Sequence, residues 1–489
     1  MQNISYYLPG FHLSTLRRRP RSASRILAEQ RSELRQKTLS ELGQCFRQFI
    51  PTQVLEQSDS GLSSRRRLFT KENTFWAFFS QVLEADRGCR EVVRKLQALC
   101  ASQSKPLPSS STAAYCQARA RLDATSLDHI FAHTAKLGRT DSPGDKLNGR
   151  RVVVVDGTGL SLPDTAANQR AWPQRANQKP GCGFPQAALC ACFCLASGTL
   201  LSYRVGNKKS AELPLLREQW DTFEPGDIFL GDKGFCSYYD VWAFQERGVD
   251  SVVTLARRTP VAEAESVKVL GENDRLIRWS KPAHRQAANY SHAQWADSPD
   301  TLLLRQIKVT VKQPGFRATT FHLITTLLDA EAYPASDIAD LYLQRWDVEL
   351  FFRDIKTTLG MDVLRCKTPA MVSKEIQMYF IAYNAIRHLM NKAAQEQNLS
   401  RRRLSFKGSV QALRHWETHF NQAKTNGAEQ ARLLRRLIES IAEYTTPHRP
   451  GRREPRVRKR RPKNYQLMTA PRLEMSEIPH RSQYRAGTA

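Results

Sequence analysis

"RVVVVDGTG", residues 151–159, sets four consecutive valines before Asp156 and a Gly-Thr-Gly segment. A β-branched run without polar alternation fits a strand buried on both faces, in the middle of a sheet covered on either side. This reading predicts a central strand that ends at Asp156 and delivers its carboxylate to the sheet edge. The surroundings extend the pattern. "AALCACFCLASGTLLSYRVG", 187–206, reads as two strands joined at Ser197-Gly198, and "GDIFLGDKGF", 226–235, as a short strand ending in Asp232 and a Gly234 turn. A helix over "SYYDVWAFQERG", 237–248, and a strand over "DSVVTL", 250–255, complete a mixed α/β core.

Upstream, residues 1–145 read as helical segments with polar linkers and basic runs at Arg17–Arg19 and Arg65–Arg67. This looks like a DNA-contacting front end. "VVRKLQALC", 92–100, and "AAYCQARARLDATSLDHIFAHTAKLG", 113–138, have helical periodicity, with a loop between them. Residues 146–256 form the first part of the core. A β-rich insertion over 257–334 interrupts it, with strands expected in "DRLIRWS", "TLLLRQIKVTVKQ" and "ATTFHLITTLLD". The core resumes over 335–395. A helical C-terminal region, 396–489, carries the run "PHRPGRREPRVRKRRPKNY", a basic arm in which Arg456, Arg458, Lys459, Arg460 and Arg461 are candidates for contacts to DNA without regard to sequence.

The composition points the same way. Lys and Arg number 74 against 47 Asp and Glu, a formal charge of +27, which favours a polyanionic partner, nucleic acid before a membrane surface. No run of eighteen apolar residues occurs and the first residues lack the order of a secretory signal, so a cytoplasmic protein is expected. The ten cysteines include no C-x-x-C pair, and Cys190, Cys192 and Cys194 alternate along one strand face, where Cys acts as a small buried hydrophobe. Structural zinc is not expected.

The segment "LYLQRWDVELFFRDIKTTLG", 341–360, places Tyr342, Arg345, Glu349 and Lys356 within a narrow stripe of an ideal helix, beside an apolar stripe of Val348, Phe351, Phe352, Ile355 and Leu359. Ser336 is read as its N-cap and Gly360 as the residue that ends it. A solvated charged face explains such a stripe as well as a site does. Strand-end aspartates likewise form turns as readily as they bind metals. Three carboxylates, Asp156, Asp232 and Glu349, delivered from two core strands and a core-edge helix of so basic a chain, fit a pair of Mg²⁺ ions about 3.5–4 Å apart. Glu212 could support such a site, or cap a helix start. Trp279 and Trp295, in the insertion, read as core residues of a small β domain.

These motifs carry a resemblance. Tyr342, Arg345, Glu349 and Lys356 match the Tyr-Arg-Glu-Lys helix spacing of DDE transposases of the insertion-sequence-four group, and "DGTGLSLPDTAANQRAWPQ", "PGDIFLGDKGF" and "RVRKRRPKNYQLMT" resemble that group too. Lys233 departs from the Arg more usual there, which keeps the charge and loses the planar fork. The resemblance implies an α/β fold with an RNase H-like catalytic core, a β-strand-rich insertion and helical N-terminal and C-terminal regions. It implies that Asp156, Asp232 and Glu349 are catalytic and hold two Mg²⁺ ions, for which Mn²⁺ substitutes, that Tyr342, Arg345, Lys356 and Lys233 grip DNA phosphate, and that Trp279 or Trp295 is a candidate for stacking on a flipped base. The implied partners are double-stranded transposon ends and target DNA, engaged by a homodimer near the bacterial nucleoid. A transposase-derived protein that binds DNA without cutting it is the alternative.

Overall fold

The computed structural model describes residues 46, 48–56, 68–102, 104, 106–140, 147–207, 212–255, 264–283, 291–311, 319–422, 427–446, 468, 470, 471 and 474. Both basic N-terminal runs and the basic arm of residues 456–461 lie outside these. The helices are α1 (Lys71–Leu83), α2 (Cys89–Ser102), α3 (Ala113–Arg121), α4 (Ala124–Thr140), α5 (Ala166–Ala171), α6 (Glu212–Arg217), α7 (Tyr238–Glu246), α8 (His292–Asp297), α9 (Ala335–Leu343), α10 (Asp347–Arg353), α11 (Pro369–Glu396), α12 (Phe406–Gln422) and α13 (Gly427–Glu443). The strands are β1 (Val152–Ser161), β2 (Gln186–Cys194), β3 (Leu200–Asn207), β4 (Ile228–Gly231), β5 (Asp250–Thr254), β6 (Glu265–Gly271), β7 (Asp274–Ser280), β8 (Thr301–Val311) and β9 (Thr319–Thr325). No helix among the described residues is long and apolar enough to cross a membrane.

The chain divides into two compact units, one holding the residues up to Ser126 with Arg414–Arg435, the other Leu127–Leu413 with the residues from Arg436 on. These limits differ from the divisions at 145 and 396 expected from composition. In the first unit α1 is buried on every side from Asn73 on, with Phe75, Trp76, Phe78 and Phe79 in the core, and Thr70 caps it by accepting the Asn73 N–H at 3.1 Å.

The second unit is built on one nine-stranded sheet, order β3-β2-β1-β4-β5-β9-β8-β7-β6. The four valines of β1 are fully buried, as a central strand requires. β2 and β3 form the expected hairpin, with Gly198 at φ +68° in its turn, and all three cysteines of β2 are buried and free. The insertion is strand-rich as expected and continues the core sheet: β9 pairs antiparallel with β5, and β8, β7 and β6 follow outward. Among its described residues it also holds a short helix, α8, within a region expected to be predominantly strand.

The sheet positions the site through its register. β4 and β5 run parallel to β1 and to each other, so their carboxyl ends share one edge, where α/β sheets bind ligands. β1 does not stop at Asp156 as the valine run implies. Antiparallel pairing with β2 carries it on to Ser161, whereas β4 accompanies it only over Val152–Val154. Asp156 therefore lies mid-strand, just beyond the end of the parallel ladder.

Candidate active site

Continuing the β1–β4 register by two residues sets Asp156 beside Asp232, on strands about 4.8 Å apart. Asp232 leaves β4 as the cap of a one-turn 3-10 helix, and its Oδ1 accepts the Gly234 N–H at 2.7 Å. Asp156 Oδ1 accepts the N–H of Gly157 at 2.8 Å. Both carboxylates are thus held by backbone donors, with oxygens to spare.

Glu349 is exposed in the first turn of α10, and the apolar stripe beside it behaves as predicted. Val348, Phe351, Phe352, Ile355 and Leu359 are all buried, and both phenylalanines pack on Phe193 of β2, with ring centroids 5.3 and 5.5 Å apart. This packing holds α10 against the sheet, within electrostatic reach of Asp156. The Asp156 carboxyl is pushed up to about 6, chiefly by burial and with smaller help from the Asp232 and Glu349 charges, while the Gly157 N–H and Arg345 oppose the rise. Asp156 thus senses the other two sequence-predicted carboxylates.

A fourth carboxylate shares the edge. Glu212, the first residue of α6, is raised by burial and then by the Asp156 and Asp232 charges. Its proximity arises through space across the β3–α6 connection, which a linear reading shows only as a charge at a helix start. All donors at this edge are carboxylate oxygens, a set suited to hard divalent cations. Among the described residues no three acidic, His or Cys side chains stand close enough to hold one ion together, so the carboxylates face one another at electrostatic and not at ligand range.

The helix over 335–359 departs from ideality at two places. A 3-10 turn occupies Gln344–Trp346 and a π turn Asp354–Thr358, so the four polar residues no longer form one stripe. Ser336 does not cap it either: the helix starts at Ala335 after Pro334, and the Ser336 hydroxyl bonds Asp337 instead. Gly360, at φ +86°, ends it as predicted. Tyr342 is buried with its hydroxyl 2.9 Å from Thr254 Oγ1 of β5, and its ring packs on Phe321. Lys356 Nζ donates to Thr158 Oγ1 at 3.0 Å and to the Gly159 carbonyl at 2.9 Å, both on β1. These two residues peg the helix to the sheet.

Arg345 lies between the pegs. It is 8% exposed, its Nη1 stands 4.0 Å from Asp156 Oδ2, and its buried Nε–H has no acceptor among the described residues. The guanidinium lies 5.2 Å from the ring centre of Trp346, an exposed indole that the sequence reading passed over. Lys233 is exposed directly after Asp232.

The two insertion tryptophans belong elsewhere. Trp279 on β7 is buried against Tyr238 at 5.2 Å, so the core reading holds and no ring face is open to a base. Trp295, on α8, packs on Tyr238 at 6.0 Å and carries Lys281 Nζ 5.2 Å above its ring.

Comparison with known proteins accounts for this assembly. Residues 147–385 match the family model described as "Transposase DDE domain", and residues 36–132 match "Insertion element 4 transposase N-terminal". The chain is 26% identical over 447 residues to the transposase InsG for insertion sequence element IS4 of Escherichia coli K12, covering 90% of this chain and 95% of that protein. A probable transposase for element IS5377 of Geobacillus stearothermophilus is 37% identical over 84 residues, 17% of this chain and 22% of that one. A piggyBac transposase in a synaptic complex with hairpin DNA aligns over 83% of this chain and 82% of its own at 12% identity, with a TM-score of 0.41, too loose to bear on the fold. With two adjoining family models and a relative matched along nearly its whole length, the chain belongs to the insertion-sequence-four group of DDE transposases, enzymes that cut DNA.

Proposed function

We propose that this transposase binds the ends of its own insertion element and cuts and joins them with Asp156, Asp232 and Glu349, in the presence of two Mg²⁺ ions that Mn²⁺ can replace. The observation that carries this reading is the Asp156 carboxyl, which senses the Asp232 and Glu349 charges, beside a buried guanidinium N–H with no acceptor among the described residues. An unsatisfied buried donor costs about 1–3 kcal/mol, and a phosphate oxygen would satisfy it with a charge-assisted bond.

Divalent ions bound there would supply a water of lowered pKa and stabilise the leaving oxygen of an in-line displacement. The chain's own residues do the rest. Asp156 and Asp232, fixed by Gly157 and Gly234 N–H groups, present their remaining oxygens from adjacent strands. Glu349 closes the set from α10. Arg345 orients the scissile phosphate next to Asp156, and exposed Lys233 meets the neighbouring one. Tyr342 and Lys356 serve first as pegs and reach DNA only if they exchange their Thr254 and Thr158 bonds for phosphate. The basic arm would track the backbone without reading bases, and two copies of the chain would pair two element ends.

The test uses the full chain, Mg²⁺ and DNA carrying the ends that flank its own gene. Asp156→Asn, Asp232→Asn and Glu349→Gln should each lower single-turnover cleavage by more than about 100-fold, with end binding retained. Cleavage surviving in any one of them would remove that residue from the site.

A further inference from the structure

Residues 162–185 join β1 to β2 and carry much of the motif "DGTGLSLPDTAANQRAWPQ", yet the site above uses none of them. Two glutamine side chains hold this connection in shape. Gln174 Oε1 accepts the N–H groups of Gly181 and Gly183 at 3.0 and 3.1 Å, and its Nε2 donates to the carbonyls of Gln178 and Lys179 at 3.1 and 2.7 Å. These bonds take up the whole capacity of the amide. Gln169 braces it, accepting the Gln174 N–H at 3.0 Å and donating to the Gly183 carbonyl at 2.9 Å. The backbone is fitted to this hub: Gly181 turns at φ +77° against Pro471, and a Cβ at Gly183 would lie 3.1 Å from that of Gln174.

The loop closed around Gln174 is fixed to both arms of the active site. β1 runs on from Asp156 to Ser161, about 17 Å at the rise of a strand, and the Leu162 N–H closes the base of the loop on the Pro185 carbonyl at 3.0 Å. On the other side Thr165 Oγ1 donates to the Lys367 carbonyl at 2.9 Å, and fully buried Asn168 Nδ2 to the Cys366 carbonyl at 3.3 Å. Both carbonyls belong to the segment that follows Gly360, where the Glu349 helix ends. Whatever the loop holds therefore stands at a set distance from Asp156 and Glu349. Its outer surface is cationic: Arg170, Arg175 and Lys179 are exposed, whereas Asp164, the acid of this connection, is engaged by Gln169 Nε2 at 2.8 Å. Arg175 and Gln178 line a hollow of about 580 Å³ beside the hub, and the Phe184 ring is 63% exposed.

We propose that residues 174–184 grip the duplex of the element end about five base pairs from the scissile phosphate, the span that 17 Å covers along DNA. Arg175 and Lys179 meet backbone phosphates, Phe184 lies against a deoxyribose, and Gln174 is the positioning residue that keeps the grip in register. A loop whose shape is already set loses little freedom on binding, which suits it to hold and not to follow its ligand. The element end, and not the target, is the DNA that has to keep one register through cutting and joining, and a loop tied to β1 supplies that. The place of the cut rests on the active-site reading above.

The experiment takes hydroxyl-radical footprints of the full chain on duplexes carrying the element ends, without divalent cations so that no cutting occurs, with thermal melts to establish folding. Wild type should protect a block about five base pairs from the cut. In the double variant Arg175→Ala/Lys179→Ala the block should be lost, binding should weaken about tenfold, and the slope of log affinity against log salt should fall by about two. Phe184→Ala should weaken binding about threefold with the salt slope unchanged. Gln174→Ala, which removes no charge, should lose the same block, while Arg436→Ala, whose guanidinium pairs with Glu439 at 2.9 Å, should keep it. An intact block and salt slope in the folded double variant overturns the grip. Loss of the block there but not in Gln174→Ala overturns the positioning role. A block that forms only on target DNA overturns the choice of the element end. Unimpaired cleavage by Asp156→Asn, with the block in place, overturns the active-site reading and the five-base-pair distance, while the contact itself stands.

Discussion

Asp156 pays electrostatically for its position. Its folded carboxyl sits at about 6 against an ordinary 3.8, chiefly because burial disfavours the charge. A raised carboxyl means that the folded state holds its proton more tightly, so this group contributes most stability below about pH 4 and loses it as pH rises towards 6. Two units correspond to roughly 3 kcal/mol. Without divalent cations, Asp156→Asn should therefore melt higher than wild type at pH 7.5 and nearly equal to it at pH 4. Equal melting at both values would mean that the carboxylate is not strained by its surroundings. Arg345 makes a second prediction at this scale. Arg345→Ala should slow cleavage of pre-bound ends by about 100-fold, and Lys367→Ala, exposed beyond Gly360, by less than about twofold. Lys356→Ala should act differently from both, loosening β1 as well as the helix, and so lower thermal stability along with rate.

At the scale of elements, the strands were legible and the helix was only half so. Four buried valines, the Ser197-Gly198 turn and the strand-end position of Asp232 follow from short-range rules, because period and turn chemistry are local properties. The continuation of β1 past Asp156 was not legible, since it depends on how far β2 runs beside it. Nor was the π turn, whose first residue is engaged from far along the chain: Asp354 accepts from Arg387 Nη2 at 2.7 Å in a buried pair, with Phe351, Tyr383 and Phe406 around the guanidinium. Glu212 could be named from sequence as a candidate and no more, because it is a neighbour of Asp156 in space and not in sequence. The pair yields a prediction. Asp354→Ala strands a buried guanidinium and should cost about 3–5 kcal/mol in urea unfolding. It should also release the wide turn, shift Lys356 off Thr158 and slow cleavage under conditions where the protein stays folded. Full activity in that variant would show that the wide turn has no part in placing Glu349.

For the whole molecule, charge is the property that sequence alone supplies. The surplus of 27 positive charges is spread along the chain, and a dense share of it falls in the arm of residues 452–463. Deleting that arm should weaken binding to every DNA sequence alike and flatten the fall of affinity with salt, as lost phosphate contacts release fewer counterions. An unchanged salt slope would mean that the arm does not touch DNA. The family and the α/β architecture could be read from a handful of motifs. The division into units could not, because Arg414–Arg435 joins residues hundreds of positions earlier.

The seam between β5 and β9 has a further consequence, for the history and engineering of such chains. Val252, Val253 and Thr254 pair antiparallel with Thr325, Ile324 and Leu323, so the insertion shields what would otherwise be the margin of the catalytic sheet. A chain stripped of it would present a bare, valine-lined edge ready to template onto copies of itself. Excision is therefore no neutral shortening. Any descendant that shed these strands would need another cover for β5, or would trade solubility for its smaller size.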